Sequence, residues 1–317
     1  MNILLPDMHK NFTRSMCYVL GELLNYNIFI PDTSWATVIG YGDKWNLNKI
    51  ETYFAKNPNV KTISWEEFKD STIDIVMSPC IEQQADIIKN IIIPFQDRYK
   101  YVSYYGNEYV NGYIPWQYFK NHLSADLNSH IEAIHSGVHA ARILPPIKYE
   151  DYPFKFNTTS MDINTYIHYY QYSWKSGYAM YQAIKEIFQQ YKFRHYGKHG
   201  EEEIDELDMY SKITQSAATI HLKDREGYGM SVIESMASGR PIIGFRPVIS
   251  TKRLAAWVTD NVSILFDSVE ELSVKLDKFA IVDNRMELQH KCAEHIRNTI
   301  VPSEQAIIIK KFMENLV

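Results

Sequence analysis

The stretch EGYGMSVIESMASGRPIIGF, residues 226–245, combines a glycine-rich turn, an apolar helical pattern and a buried strand. Gly227 and Gly229 permit backbone conformations that other residues avoid, and they let a ligand approach the main chain. The pattern predicts a helix that begins near Met230, ends at Gly239 and leads into the strand PIIGF. The free N–H groups at the start of such a helix favour the binding of phosphate.

Two glutamates lie eight residues apart in this stretch. Glu226 falls in the loop before the helix and Glu234 about one turn inside it, so both can face one ligand from different depths. A carboxylate can accept hydrogen bonds from two neighbouring hydroxyls. In an open parallel sheet, ligands bind beyond the carboxyl ends of the strands, where this turn falls. Hydroxyl pairs beside phosphates indicate a sugar nucleotide.

The E-x7-E pattern, set between two strands, resembles the donor-site motif of retaining glycosyltransferases of the GT-B fold, the large family that contains sucrose and glycogen synthases. The resemblance implies that Glu226 contacts the hydroxyls of the donor sugar and that Glu234 holds the ribose. It also implies which backbone lines the diphosphate and the sugar: Gly227, Tyr228, Gly229, Met230 and Ser231.

A second motif of that family is an arginine five residues before a lysine that a glycine follows, and both cations neutralise the departing diphosphate. The segment HYYQYSWKSGYAM, residues 168–180, supplies Lys175 and Gly177 but has Tyr170 at the arginine position. Lys175 then acts alone or with another cation, and the candidates are Arg194, Lys223 and Arg225. The alternative is that Lys175 is a solvated lysine at a helix start, where the helix dipole disfavours it.

The segment KFRHYGKHG, residues 192–200, is predicted to be a strand and the loop that follows it. In the family this region approaches the nucleotide, so Tyr196 or His195 is a candidate for stacking on the base. The alternative is an aromatic residue packed at the end of a strand.

Short apolar runs alternate with helical patterns through both halves of the chain, which predicts an α/β protein with mostly parallel sheets. Prolines in ILPPIKYEDYPFKFNTTS, residues 143–160, favour a linker between two domains. We therefore predict domains at 1–150 and 151–301. The resemblance implies the GT-B arrangement of two Rossmann-like domains facing across a cleft, in which the final helix, 302–317, crosses back to the N-terminal domain.

The N-terminal domain is expected to hold the acceptor. His9 follows the first strand and Asn107 follows another, so both are candidates for the acceptor side. The aromatic residues between Tyr99 and Phe119 suggest either an acceptor platform or, more simply, core packing.

The charge, the cysteines and the apolar runs of the sequence limit the classes of protein to which it can belong. The net charge is −5, and neither half is basic: 1–150 carries 13 lysines and arginines against 16 acidic residues, and 151–317 carries 20 against 22. This balance argues against a generic binder of polyanions. Three widely spaced cysteines, no apolar run of membrane length and no signal-peptide pattern predict a cytoplasmic protein, in the host cytoplasm if it is viral.

The function implied is a retaining glycosyltransferase that uses a nucleotide-sugar, with a UDP-sugar favoured, and requires no metal or cofactor, since the chain has no Asp-x-Asp. Two segments, INTYIHYYQYSWKSGYAMYQ and KFRHYGKHGEEEID, weakly resemble the α-glucosyltransferases of T-even phages, which modify hydroxymethylated cytosine in DNA. The acceptor therefore stays open between such a base and a glycan, lipid carrier or small metabolite. Rival functions are a sugar-nucleotide epimerase and a non-catalytic nucleotide-sugar-binding protein.

Overall fold

The computed structural model describes most of the chain as two compact units. The described residues are 1–6, 10–39, 57–79, 84–105, 116–125, 127–167, 170, 177–197, 200–204, 206–223, 229–251 and 253–317. The first unit comprises Met1–Pro146 with Val301–Val317, and the second comprises Ile147–Ile300. The chain therefore enters the second unit once and leaves it once.

The first unit contains a parallel sheet of seven strands in the order β3-β2-β1-β4-β5-β6-β7. The strands are β1 (Asn2–Leu4), β2 (Asn27–Pro31), β3 (Val60–Ile63), β4 (Ile75–Pro79), β5 (Lys100–Tyr105), β6 (Asn121–Ser124) and β7 (His139–Arg142). Its central strands are apolar and buried, as expected for a parallel sheet covered on both faces. The strand order reverses between β1 and β4.

Helices connect these strands. They are α1 (Lys10–Met16, continued by a π-helical segment Cys17–Leu23), α2 (Ala36–Ile39), α3 (Trp65–Lys69), α4 (Gln84–Ile87, continued by a π-helical segment Ile88–Ile92) and α5 (Leu127–His135).

The second unit contains a parallel sheet of five strands in the order β12-β11-β10-β8-β9. The strands are β8 (Asp162–Thr165), β9 (Lys192–His195), β10 (Ala218–Ile220), β11 (Ile242–Phe245) and β12 (Ile264–Phe266). The helices that follow in this unit are α6 (Tyr178–Ile187), α7 (Glu206–Gln215), α8 (Met230–Ala237), α9 (Arg246–Ile249), α10 (Val269–Ala280) and α11 (Val282–Thr299). The strand order reverses between β8 and β10, which is the switch point of this sheet.

The last helix, α12 (Pro302–Glu314), packs on the first unit. The ring of Phe312 stacks on His139 of β7 with centroids 5.1 Å apart. The side-chain oxygen of Gln305 accepts a hydrogen bond of 2.7 Å from the backbone N–H of Leu144. The predicted return of the final helix to the N-terminal part of the chain is confirmed, as is the α/β class with two parallel sheets.

Several local predictions need correction. The apolar and aromatic residues of NTYIHYYQ (164–171) predict a strand, but β8 ends at Thr165 and Tyr170 is a core residue instead. The pattern also missed β3, β6 and β7. The sequence pattern predicts a pair of helices at the end of the chain, whereas the structure has three, α10 to α12.

Candidate functional site

The candidate site lies at the carboxyl edge of the five-stranded sheet. β8 and β10 are neighbours on either side of the switch point, and each leads through a loop into a helix whose start the structure describes. In open α/β sheets the crevice at such a point is where ligands bind. The loops themselves, 171–176 and 224–228, lie outside the described residues.

The helix α8 begins at a glycine in the left-handed conformation. Gly229 has φ 61° and ψ 56°, and its carbonyl accepts the N–H groups of Val232 at 2.9 Å and Ile233 at 3.0 Å. A β-carbon at this position would lie 2.6 Å from a methyl group of Leu254. Gly229, the residue before the helix, has no side chain that could cap this helix start. The first N–H groups of α8 therefore lack partners within the helix and are disposed to bind an anion.

The helix α6 begins in the same way. Gly177 precedes Tyr178 and has φ 72° and ψ 12°, and as a glycine it has no side chain that could cap the helix. A β-carbon on Gly177 would lie 2.2 Å from the carbonyl oxygen of Leu222, which follows β10. This backbone contact places the start of α6 against the residues that directly follow β10.

Glu234 lies on α8 as predicted, at its fifth residue, with 3% of its surface exposed. The hydroxyl of Tyr152 donates a hydrogen bond of 2.8 Å to Glu234 Oε1. The surrounding helix is almost wholly buried, since Val232, Ile233 and Ser235 have no exposed surface. The carboxylate is thus held in a fixed, largely dry position.

The end of α8 is fixed by Gly239 and Arg240, the residues before the strand. Gly239 has φ 80°, and its α-carbon faces the ring of Phe154. Arg240 is fully buried. Its guanidinium donates hydrogen bonds to five backbone carbonyls, those of Lys155, Ile213, Thr214, Ser238 and Gly239. Burial lowers the pKa of its guanidinium to about 10. Arg240 thus has a structural part, satisfying the open carbonyl groups at helix ends.

Five predicted donor-site residues fall on described positions. Gly229, Met230, Ser231 and Glu234 come together at α8, with Met230 buried and Ser231 half-buried. Tyr196 lies after β9. The other predicted residues lie outside the described positions: Lys175, Arg225, Glu226, Gly227, Tyr228, His9 and Asn107.

Tyr196 is packed into the second unit. Only 4% of its surface is exposed, and its ring stacks on Tyr166 with centroids 5.8 Å apart and planes 15° apart. The ammonium group of Lys212 lies 5.3 Å from the centroid of the same ring. A ring with so little free surface favours the packed aromatic over a base-stacking residue.

The tyrosine at the arginine position of the family motif is a core residue. Tyr170 has no exposed surface, and its ring contacts Tyr178, Tyr181 and His195. Burial, together with Tyr181 and Tyr178, raises the pKa of its hydroxyl. A buried neutral phenol cannot replace the charge of an arginine beside a diphosphate.

Arg194, one of the cations considered in place of the missing arginine, forms an ion pair away from the carboxyl edge of the sheet. Its Nε donates to Asp162 Oδ2 at 3.0 Å, and Asp162 is the first residue of β8, at the amino end of the strand. Its guanidinium is therefore directed away from the carboxyl edge. Lys223 is half-buried and directly follows Leu222, the residue that contacts Gly177.

Two residues that the sequence did not assign to this site contact α8. Tyr152 bonds to Glu234, and Arg297 bonds to the end of the helix. Arg297 Nη2 donates to the carbonyl of Tyr152 at 3.0 Å and to that of Ala237, the last residue of α8, at 3.1 Å. Tyr152 belongs to the segment interpreted as a linker, which carries no local signal for a contact with a helix 82 residues later.

Two further properties concern the described part of the chain. Its histidine, cysteine and carboxylate side chains do not gather into a group that could hold a metal ion. Within the same residues, no helix combines the length and apolar character that a membrane crossing needs.

Comparison with known proteins identifies the fold. No family model and no curated protein matches the sequence. A sucrose-phosphate synthase from Thermosynechococcus elongatus matches with a TM-score of 0.67 and 10% identity, over 100% of this chain and 99% of its own. HepE from Anabaena, in complex with UDP and glucose, matches with a TM-score of 0.64 and 10% identity over the full length of both chains.

TarM from S. aureus, in a complex that includes UDP, matches with a TM-score of 0.58 and 10% identity. That match covers 76% of this chain and 55% of TarM, so this chain spans about half the length of the TarM structure. At such low identities the likeness establishes the fold alone. The class of protein that the architecture defines is the GT-B fold.

Proposed function

We propose that this chain is a glycosyltransferase that moves a sugar from a UDP-sugar to an acceptor hydroxyl. The observation that carries the proposal is the pair of left-handed glycines, Gly177 and Gly229, that begin two helices on either side of the switch point. Backbone N–H groups at two helix starts, each preceded by a glycine that offers no capping side chain, would form a receptor for a diphosphate. Glu234 lies beyond them on α8, where a carboxylate can bind the ribose hydroxyls.

The choice of donor rests on the fold and on what its relatives bind. HepE forms complexes with UDP and with UDP-glucose, and the TarM complex contains UDP. A UDP-sugar is therefore the first donor to test, with a GDP-sugar second. The E-x7-E pattern assigns Glu226 to the hydroxyls of the transferred sugar.

We assign the cations of the site to Lys175 and Lys223. Lys175 lies three residues before Tyr178, the first residue of α6, and the Gly177–Leu222 contact places Lys223 beside that start. Two ammonium groups there would offset the charge that develops on the diphosphate as it leaves. Lys223 would thus supply the charge that Tyr170 does not.

The proposed reaction is retaining and independent of metal. The acceptor oxygen forms a bond to the anomeric carbon on the face from which the bond to the diphosphate oxygen breaks. The electron pair of the broken bond goes to the diphosphate, and the acceptor proton passes to its β-phosphate. The protein then acts by holding both reactants in place and by stabilising the leaving group.

For the acceptor we favour a hydroxymethylated base in DNA. The support is the similarity of residues 163–182 and 192–205 to the α-glucosyltransferases of T-even phages. Such an enzyme must reach or flip its base. A glycan, lipid carrier or small metabolite is the alternative, and the overall acidic charge of the chain favours it. Two buried free thiols, Cys17 and Cys292, suit the reducing cytoplasm in which either reaction would occur.

Nucleoside mass spectrometry tests the acceptor and the donor together. The protein is incubated with hydroxymethylated or unmodified DNA and a panel of UDP- and GDP-sugars, and the DNA is then digested to nucleosides. A sugar mass on the hydroxymethylated base alone supports the DNA acceptor. Slow release of UDP from the donor without any added mass on DNA would overturn that acceptor and leave the glycosyltransferase in place.

Variants test the catalytic assignment. Glu226→Ala and Lys175→Ala are expected to lower turnover by about 100-fold or more, because each removes a group that acts on the transition state. Glu294→Ala and Lys291→Ala on the exposed face of α11 are the matched controls. Near-normal transfer by both site variants would refute the assignment.

The same assay separates the rival functions. An epimerase would convert the donor sugar in the absence of any acceptor. A non-catalytic module would bind the nucleotide-sugar and never consume it. Either result would overturn the proposal of sugar transfer.

A further inference from the structure

We propose that Tyr152 is a positioning residue for Glu234 and that it sets the affinity for the donor through the ribose. The inference rests on the proposed function, because it concerns the carboxylate assigned to the nucleotide. Tyr152 lies ten residues before β8, outside the E-x7-E stretch. Its hydroxyl nevertheless reaches α8 and donates to Glu234 Oε1 at 2.8 Å.

The bond fixes the orientation of the carboxylate. Glu234 and Tyr152 are 3% and 4% exposed, so the hydrogen bond is formed in a region that is largely dry. An ionised carboxylate can accept about four hydrogen bonds. The bond from Tyr152 sets the plane of the group, and a carboxylate held in a fixed plane can accept hydrogen bonds from a pair of neighbouring hydroxyls.

Tyr152 is itself held against the helix that carries Glu234. Arg297 Nη2 donates to the carbonyl of Tyr152 and to that of Ala237, at 3.0 Å and 3.1 Å. One guanidinium therefore ties the backbone of Tyr152 to the end of α8. The phenol and the carboxylate are connected at two points, once by their side chains and once through Arg297.

A second tyrosine stiffens this arrangement. The guanidinium of Arg297 lies over the ring of Tyr149, 4.6 Å from its centroid. The hydroxyl of Tyr149 donates to the carbonyls of Ile296 at 2.9 Å and Ile300 at 2.8 Å, at the end of α11. The segment that bears Tyr152 is thus anchored to α11 as well as to α8, which leaves its phenol little freedom to move away from Glu234.

A preorganised carboxylate binds a diol better than a mobile one, because less conformational freedom is lost on binding. Removing the phenol hydroxyl should therefore weaken binding only to ligands whose ribose hydroxyls Glu234 contacts. A residue that served packing alone would affect all nucleotides equally. A loss of affinity that depends on the ribose hydroxyls therefore distinguishes a residue that positions Glu234 from one that only supports the packing.

The experiment is calorimetric titration with UDP and with 2′,3′-dideoxy-UDP, which lacks both ribose hydroxyls. Tyr152→Phe keeps the ring and removes the donor. We expect it to bind UDP about fivefold to tenfold more weakly than the wild type. Its affinity for the dideoxy nucleotide should stay within about twofold of the wild type.

Tyr191→Phe is the matched control, because it removes a buried hydroxyl of the same unit that donates to the carbonyl of Leu276 at 3.1 Å and not to Glu234. Its thermal unfolding temperature is compared with that of Tyr152→Phe to show that both variants are folded. Glu234→Gln should reproduce the ribose-dependent loss. In the transfer assay, Tyr152→Phe should raise the KM for the UDP-sugar while leaving kcat nearly unchanged.

Two results would overturn the inference: equal losses of affinity for UDP and its dideoxy analogue, or no loss for UDP. Failure of the proposed function looks different, since the wild-type protein would then bind neither UDP nor GDP. In that case the inference falls with the function on which it rests.

Discussion

The backbone of Gly177 lies directly against the carbonyl group of Leu222. A β-carbon at residue 177 would stand 2.2 Å from that oxygen and 2.8 Å from the carbonyl carbon. Gly177 also has φ 72°, a conformation that side chains disfavour. Two independent constraints thus require glycine here, and together they bring the start of α6 to the segment after β10. This contact builds the proposed diphosphate receptor.

Gly177→Ala is therefore expected to destabilise the second unit strongly and to abolish UDP binding. The positive φ alone costs about 1 kcal/mol, and the overlap with a backbone carbonyl forces the two segments apart. We expect the free energy of unfolding of the second unit to fall by about 3 kcal/mol or more, and UDP binding to be lost. Denaturant unfolding and calorimetric titration measure the two effects.

Gly137→Ala provides the control for backbone strain. Gly137 has nearly the same φ, 73°, but a β-carbon there meets nothing within 4 Å. The change should cost only about 1 kcal/mol and leave UDP binding intact. Equal destabilisation by the two substitutions would contradict the importance of the Leu222 contact.

Asn121 anchors the last residue of the chain to β6. Its side chain accepts the N–H of Val317 at 3.0 Å and donates to the carbonyls of Val317 at 3.1 Å and Tyr101 at 3.2 Å. Because Asn121 is buried, Asn121→Ala should lower the free energy of unfolding by about 2 kcal/mol. Hydrogen exchange should also rise in α12. Unchanged exchange there would contradict the anchoring.

His122 should make the first unit sensitive to acid. The imidazole is fully buried beside Ser103, whose hydroxyl lies 2.6 Å from Nδ1. Burial, with a smaller effect of His130, lowers the pKa of His122 from 6.5 to about 3. Between these values the unfolded chain binds a proton that the folded chain does not, so the free energy of unfolding falls as the pH is lowered through that range.

His122→Asn should remove this part of the pH dependence. Urea midpoints of the wild type and the variant, measured at intervals from pH 7 to pH 4, provide the comparison. The wild-type midpoint should fall more steeply. Parallel curves for the two proteins would show that His122 titrates alike in the folded and unfolded states.

Glu271 should contribute to the pH dependence of the free energy of unfolding at lower pH than His122. Its carboxylate lies 3.0 Å from Arg246 Nη2 and 2.9 Å from Lys275 Nζ, and it accepts the N–H of Asp267. Arg246 is the main cause that lowers the pKa of Glu271 from 4.5 to about 2. Its stabilising effect is therefore complete above about pH 4.5 and is lost as the pH falls towards 2.

Glu271→Gln should flatten the stability profile of the second unit below pH 4.5. Because the Glu271 side chain is 33% exposed, the effect should be small and should shrink at high salt. Glu294→Gln is the control on an exposed helix face. An identical profile for wild type and Glu271→Gln at low salt would contradict the ion-pair assignment.

The features that sequence predicted well are those with local signals. The start of α8 at Met230, its end at Gly239 and the strand that follows depend on glycine, proline and apolar periodicity within one short stretch. The return of the last helix also agreed with expectation, but it came from resemblance and not from the residues themselves.

What sequence missed depends on distant contacts. β6 reads NHLS and is wholly buried, and its three polar side chains each form a hydrogen bond: Asn121 with Val317, His122 with Ser103 of β5 and Ser124 with Ser129 of α5. No local pattern marks such a strand as interior. Tyr152 likewise meets Glu234 across 82 residues. At Tyr170 the family motif predicted a phosphate-facing position, and the structure has a core residue.

A crystal structure with UDP bound tests the central claim most directly. We predict that the diphosphate oxygens lie about 3 Å from backbone nitrogens at the starts of α6 and α8, with the ribose on Glu234. UDP bound away from the switch point of the five-stranded sheet, with both helix starts empty, would contradict the account.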